Sequence, residues 1–177
     1  MKKKVILISG AAILCIILTL AVVFAFVLPN KPIHQFKKYL RENNYLCWDD
    51  VCIMQSDVKN DDKDVNETYT EVYRFNDYTF TAIWVSEDRS GNAFWQMEFI
   101  YDYKEDVVTM NQYVSADSVD AESPASSYLL NKDEELAYLN GKTVDSESDL
   151  SLKMLQFKKV MRDQLNEAGI SLQDIIS

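Results

Sequence analysis

The sequence predicts an α+β fold: an antiparallel β-meander packed with an N-terminal and a C-terminal helix, preceded by one transmembrane helix. Three observations carry this reading. Residues 5–28 hold no charged side chain, the middle of the chain alternates apolar and polar residues with a period of two, and a long apolar stripe of helical period lies near its end.

The first 28 residues differ from the rest. Lys2, Lys3 and Lys4 precede a charge-free run of 24 positions. As a helix that run measures roughly 36 Å, enough to cross a hydrocarbon core of about 30 Å with some tilt. Lysines stay on the cytoplasmic side, which assigns 1–4 to a cytoplasmic basic tail, 5–28 to a signal-anchor helix and 29–177 to an extracytoplasmic domain. The alternative is a secreted protein released by signal cleavage. The apolar run exceeds the roughly 7–15 residues usual for a signal peptide, and the best cleavage motif, Val23-Phe24-Ala25, is loose.

Residues 29–177 carry 15 basic against 28 acidic side chains, a net of −13 where the whole chain has −10. That balance excludes nucleic acid as a partner. One histidine excludes a multi-histidine metal centre, and four glycines leave little material for a phosphate-cradling loop. No cofactor is expected.

Pro29 and Pro32 bracket the start of a helix over 32–43, with Asn30 as its N-cap and Ile33, Phe36 and Leu40 on its apolar face. Asn43 and Asn44 end it, because asparagine tolerates left-handed backbone. The period then changes to two. Strands are expected over 45–48 and 51–55 around Asp49-Asp50, and over 69–75 and 78–86 around Asn76-Asp77, with a charged loop over 57–67. Ser90-Gly91-Asn92 turns the chain into the clearest strand, in which Trp95, Met97, Phe99, Tyr101 and Tyr103 share a face. A further strand runs over 107–116. Residues 117–149 hold nine acids and two lysines and read as an acidic loop with at most a short element near 126–139. Leu150, Met154, Phe157, Met161, Leu165 and Ala168 then form one helical stripe, capped by Ser148 or Asp149 and ended by Gly169, with one more turn over 171–176. One-faced strands bury that face against amphipathic helices, a sandwich in the general style of cystatin-like or nuclear-transport-factor-like (NTF2-like) domains. That likeness is architectural and carries no function.

Cys47 and Cys52 flank the Asp-Asp turn on the oxidising side of the membrane, at a spacing a disulfide can span. Two free thiols or a redox pair are the other readings, the latter weakened by the absence of Cys-x-x-Cys spacing. The run FKKYLRENNYLC over 36–47, followed by Cys52, resembles the opening of small exported or membrane-anchored proteins of low-GC Gram-positive bacteria. In those a short helix leads into a Cys-x(4–5)-Cys hairpin and an aromatic-rich sheet. The resemblance spans about 20 residues and implies a disulfide and a bacterial cell-surface address, with no activity to carry over.

Other motifs yield bland readings. Asn60, Asp62, Asp64 and Glu71 mimic a calcium loop, but Val65 stands where glycine belongs and Glu71 falls in a strand. Ser56 and Lys59 match Ser-x-x-Lys without its supporting motifs. Glu98 and Asp102 share a strand face but stand roughly 13 Å apart, too far for a carboxylate pair. His34 reads as a surface residue. Trp84 and Trp95 fall at core-facing positions, where they either pack or line a ligand or partner groove. Lys31, Lys37, Lys38 and Arg41 form a basic cluster beside the membrane segment, with Lys158, Lys159 and Arg162 on the last helix. Such a face would orient the domain toward anionic lipid, each charge contributing at most about 1 kcal/mol.

The resulting expectation is a non-enzymatic, single-pass, membrane-tethered extracytoplasmic domain that binds an envelope protein close to the bilayer, or a small ligand. An oligomerising scaffold of a cell-envelope, secretion or conjugation assembly is the first alternative, and a small envelope enzyme using carboxylates the second.

Overall fold

The computed structural model describes residues 31–59, 65–88, 93–114, 124–141 and 147–176. Helix α1 (Pro32–Glu42) starts from Lys31 in extended backbone, with Pro32 at the first helical position where its missing N–H costs nothing. Lys31 is thus the N-cap in place of Asn30, which lies outside the described residues. The helix ends as the asparagines predict. Asn44 takes a φ of 69°, the Tyr45 N–H reaches back to the Leu40 carbonyl at 3.0 Å and that of Asn44 to Arg41 at 3.3 Å. This pair of reversed bonds satisfies carbonyls the helix leaves open.

Eight strands follow: β1 (Leu46–Trp48), β2 (Val51–Lys59), β3 (Asn66–Arg74), β4 (Thr79–Glu87), β5 (Ala93–Asp102), β6 (Val107–Val114), β7 (Ser126–Leu130) and β8 (Leu136–Gly141). They form one sheet in sequence order, every neighbour antiparallel. Two helices complete the chain, α2 (Glu147–Glu167) and the short α3 (Leu172–Ile176). Between them Gly169 at φ 69° closes α2 in the same manner as Asn44. The Ile170 N–H bonds Leu165 at 2.9 Å and the Gly169 N–H bonds Asn166 at 3.0 Å.

The core follows from register. Cys52, Tyr73, Phe80, Tyr101, Val108 and Leu130 face one another in a row across six strands, and each is fully or almost fully buried. The next row is Met54, Glu71, Ala82, Phe99, Met110 and Tyr128. The helices cover this face. Phe36 of α1 meets Tyr73 edge-on at 5.3 Å, and Phe157 of α2 stacks on Phe80 at 4.9 Å and tilts against Phe99 at 5.5 Å. Such aromatic pairs contribute about 0.5–1.5 kcal/mol each beyond the area they bury.

The expected architecture needs correction at several places. Among the described residues the antiparallel meander has eight strands, and there are three helices where two were expected beside the transmembrane one. Among the described residues no helix is long and apolar enough to cross a membrane, so the transmembrane helix finds no support, and its segment, 5–28, lies outside those residues. The charged loop over 57–67 gives up both its ends to strands, because β2 runs to Lys59 and β3 starts at Asn66, and residues 60–64 lie outside the described residues. Asp57 and Asn66 stand exposed there, and an antiparallel strand end open to water accepts polar residues. The acidic loop over 117–149 contains β7 and β8. Its acids Asp133, Glu134 and Glu135 are concentrated in the turn between them, where Asn131 Oδ1 accepts the N–H groups of Asp133 and Glu135, each at 2.9 Å. Tyr128, Leu130 and Leu136 carry the strand signal that the acid count concealed. Helix α2 also starts at Glu147, so Ser148 and Asp149 lie inside its first turn.

One charged clamp fixes α2 to the sheet. Asp106, in the turn after β5 with φ 60°, accepts hydrogen bonds from Lys158 at 2.8 Å, Arg162 at 3.1 Å and Tyr101 at 2.6 Å. The Lys158 ammonium is buried, 5% exposed, so this carboxylate is its necessary counter-charge. Burial by itself would raise the Asp106 pKa, but the bonds from Lys158 and Tyr101 and the charges of Lys158 and Arg162 outweigh it and hold the carboxyl below its usual range. The stability this supplies is present above the unfolded carboxylate's pKa of about 3.9 and is lost as pH falls through the lower folded value. Asp106→Asn, which strands the buried ammonium, is expected to lower unfolding stability at pH 7 by about 3 kcal/mol. In urea titrations the gap to wild type should narrow below about pH 4; a gap independent of pH contradicts the clamp.

Candidate functional site

The helix stripe meets the sheet along its first two rows, and beyond them the two layers part. The third row of the same face holds Tyr69, Trp84 and Met97 on β3, β4 and β5, with Trp95 one step further along β5. Above them α2 presents Lys153, Gln156, Phe157 and Val160, positions three and four apart and so on one flank of the helix. Together with Phe99 these residues line a cavity of about 460 Å³. Seven of the nine linings are apolar or aromatic, and Lys153 is the single charged one. The walls are braced: Tyr69 lies against Trp84 at 4.6 Å, and Trp84 meets Phe99 edge-on at 5.7 Å. Size and lining match a small-molecule site, which typically measures about 300–1,000 Å³ and is mostly apolar with few polar groups.

A buried polar cluster adjoins the cavity through Tyr69. Glu71, 5% exposed, is the buried carboxylate on the covered face of β3, where Glu67 stands two rows further out, half-buried and facing Ser86. Tyr45 and Tyr69 both donate their hydroxyls to it. Gln164 of α2 donates to the Tyr45 oxygen at 3.1 Å and accepts the Tyr73 hydroxyl proton. Burial first, and the neighbouring carboxylate with it, raise the pKa values of Tyr45 and Tyr69, and burial raises that of Tyr73. All three therefore remain proton donors, and the carboxylate's oxygens are occupied from within the chain. The cluster ties the turn after α1, β3 and α2 together through satisfied hydrogen bonds, which a buried carboxylate requires.

The sequence-derived candidates are distributed as follows. Trp84 and Trp95 come together in the cavity wall, both half-buried. Cys47 and Cys52 are directly opposite in the β1–β2 hairpin and form a disulfide, with Cα atoms 4.1 Å apart. This is closer than the roughly 5.5–6 Å most common for disulfides, as befits a facing pair one step from a two-residue turn. Lys37 does not belong to the exposed basic cluster. It is 8% exposed, its stem crosses the Phe75 ring with the ammonium 4.8 Å from the centroid, and it donates to the Asp49 carbonyl of the hairpin turn. Burial lowers its pKa against the pull of Asp50. Lys31, Lys38 and Arg41 are exposed, Lys38 pairing with Glu42 at 3.9 Å. On α2, Lys158 and Arg162 serve Asp106, and Lys159 pairs with Asp163 at 3.8 Å. His34 is exposed.

The remaining carboxylates of interest are also engaged. Glu98 accepts from Asn111 at 3.1 Å, and Asp102 accepts the N–H groups of Lys104 and Glu105 at 3.0 and 2.9 Å, closing the β5–β6 turn. Of the calcium-loop residues, Glu71 is the buried acceptor just described, and Asn60, Asp62 and Asp64 lie outside the described residues. Ser56 is exposed on β2. Among the described residues no group of three or more histidines, cysteines and acids converges as a metal site would. Sequence reasoning missed two groups. Glu71 had a signal, since Tyr69, Glu71 and Tyr73 alternate onto one strand face. Lys153 and Gln156 had none, because their role depends on where helix and sheet diverge.

No family model matches the chain, and comparison with curated proteins and with solved structures finds nothing similar.

Proposed function

We propose that this chain is a non-enzymatic binding domain on the outer side of a bacterial cytoplasmic membrane, and that it holds an apolar group in the cavity between α2 and strands β3 to β5. The cavity itself carries the reading: about 460 Å³, walled by Trp84, Trp95 and five further apolar or aromatic side chains. The buried carboxylate adjoining the cavity, Glu71, is held by the hydroxyls of Tyr45 and Tyr69, which favours binding over catalysis. Three lysines ahead of a 24-residue charge-free run support export. A disulfide-bonded hairpin suits an oxidising compartment. The exposed cations Lys31, Lys38 and Arg41, without Lys37, remain the face offered to anionic lipid.

The direct test uses the full chain in zwitterionic lipid nanodiscs and a neutral dansyl-alkyl amide, read by energy transfer from tryptophan. Saturable binding of one probe per chain is expected. Val160→Phe, which fills the cavity from its half-open side, should weaken it about tenfold or more, a loss of roughly 1.4 kcal/mol or greater. Unsaturable uptake, equal in both proteins, contradicts the reading.

A second reading, a self-associating scaffold, is favoured by β8. This sheet edge has six residues and no charge, and Tyr138 and Leu139 stand exposed on it. Uncharged edges of this kind pair with other strands. Cross-linking in membranes decides between the two: a self-ladder abolished by Leu139→Lys supports the scaffold, and its absence removes it.

A further inference from the structure

The charge at the mouth of the cavity narrows the class of ligand. Four cations lie on α2, and three are engaged: Lys158 and Arg162 hold Asp106, and Lys159 pairs with Asp163. Lys153 is exposed and makes no ion pair among the described residues, yet it borders the cavity beside Gln156. The hydroxyl of Tyr69 is committed to Glu71 and is not a donor to the interior. The walls therefore offer no charged partner within, only the indole N–H groups of Trp84 and Trp95 as polar groups, and the one cation, with Gln156 beside it, stands on one helix flank at the rim. A side chain such as lysine serves this purpose well, its ammonium in water and its stem along the apolar wall.

Resting on the binding reading above, we infer that the ligand is a single-chain carboxylate amphiphile, its apolar chain against Trp84, Trp95 and Met97 and its headgroup at Lys153, with Gln156 as the second donor. The volume, near the lower end of the roughly 300–1,000 Å³ typical of ligand sites, accommodates one chain. The whole chain carries a net charge of −10, which repels anions at long range. Selectivity for an anionic headgroup thus depends on this local cation. The contact is exposed to solvent and screened by salt, so headgroup preference should decline as ionic strength rises.

The test compares 11-(dansylamino)undecanoic acid with its methyl ester on the full chain in zwitterionic nanodiscs. Wild type is expected to bind the acid about tenfold more tightly than the ester. Lys153→Glu should remove that preference, and Lys153→Arg should retain it. Adding phosphatidylglycerol nanodiscs in excess should not displace the acid. Equal binding of acid and ester by wild type overturns the carboxylate assignment and leaves the apolar-site reading standing. Displacement by phosphatidylglycerol overturns the single-chain assignment. Failure of both probes to bind overturns the site altogether.

Discussion

Phe157 is the contact on which the rest of the architecture depends. It stacks on Phe80 and leans on Phe99, placing α2 across the middle strands of a sheet whose covered face is a grid of aromatic and aliphatic rows. A Phe→Ala change at such a core site costs about 3–5 kcal/mol, of the order of a small domain's whole stability. Seated there, α2 brings Lys158 and Arg162 over Asp106 and Gln164 over the Tyr45–Tyr73 pair. The same seating leaves the flank of Lys153, Gln156 and Val160 overhanging the third row of the sheet. The cavity is thus a consequence of helix placement, because a helix wedged on two rows cannot also close on the third.

The polar groups buried in this core act as specificity devices. Glu71 lies among tyrosines with no cation beside it, and each of its partners comes from a different place in the chain: the end of α1, its own strand and, through Gln164, α2. A one-residue slip of β3 would move the carboxylate, with Tyr69, to the opposite face and take it away from the Tyr45 hydroxyl, so the cluster penalises wrong registers. Lys37 performs a similar role at the hairpin. Its bond to the Asp49 carbonyl and the Cys47–Cys52 disulfide hold the short edge strand β1 against β2.

Much of this was legible in the sequence, and the parts that were not share a physical cause. The apolar stripe from Leu150 to Leu165 gave α2, alternation from Trp95 to Tyr103 gave β5, and Asn44 and Gly169 marked two helix ends of identical geometry. Strands β7 and β8, seven of whose eleven residues are apolar, fall where a short element near 126–139 was allowed, and the nine acids spread over 117–149 around them made the segment read as a loop. The outer parts of β2 and β3 were concealed because exposed strand ends tolerate charge. Lys37 was misplaced for another reason: a charge count does not show that a lysine stem packs on Phe75. Trp84 and Trp95 were placed on the covered face by alternation alone, but no local pattern states that a helix stops short of them. Cavities belong to tertiary structure, and this one is formed by the middle strands and the C-terminal helix, which lie far apart in the sequence.

The chain has three tryptophans, and the structure separates them. Trp84 and Trp95 stand in the cavity wall, while Trp48 is half exposed on β1. Fluorine NMR of the full chain labelled with 5-fluorotryptophan, in zwitterionic nanodiscs, reads all three at once. On addition of an apolar ligand the account expects the Trp84 and Trp95 resonances to shift and saturate together while Trp48 stays in place. A shift confined to Trp48, or equal movement of all three, would contradict it.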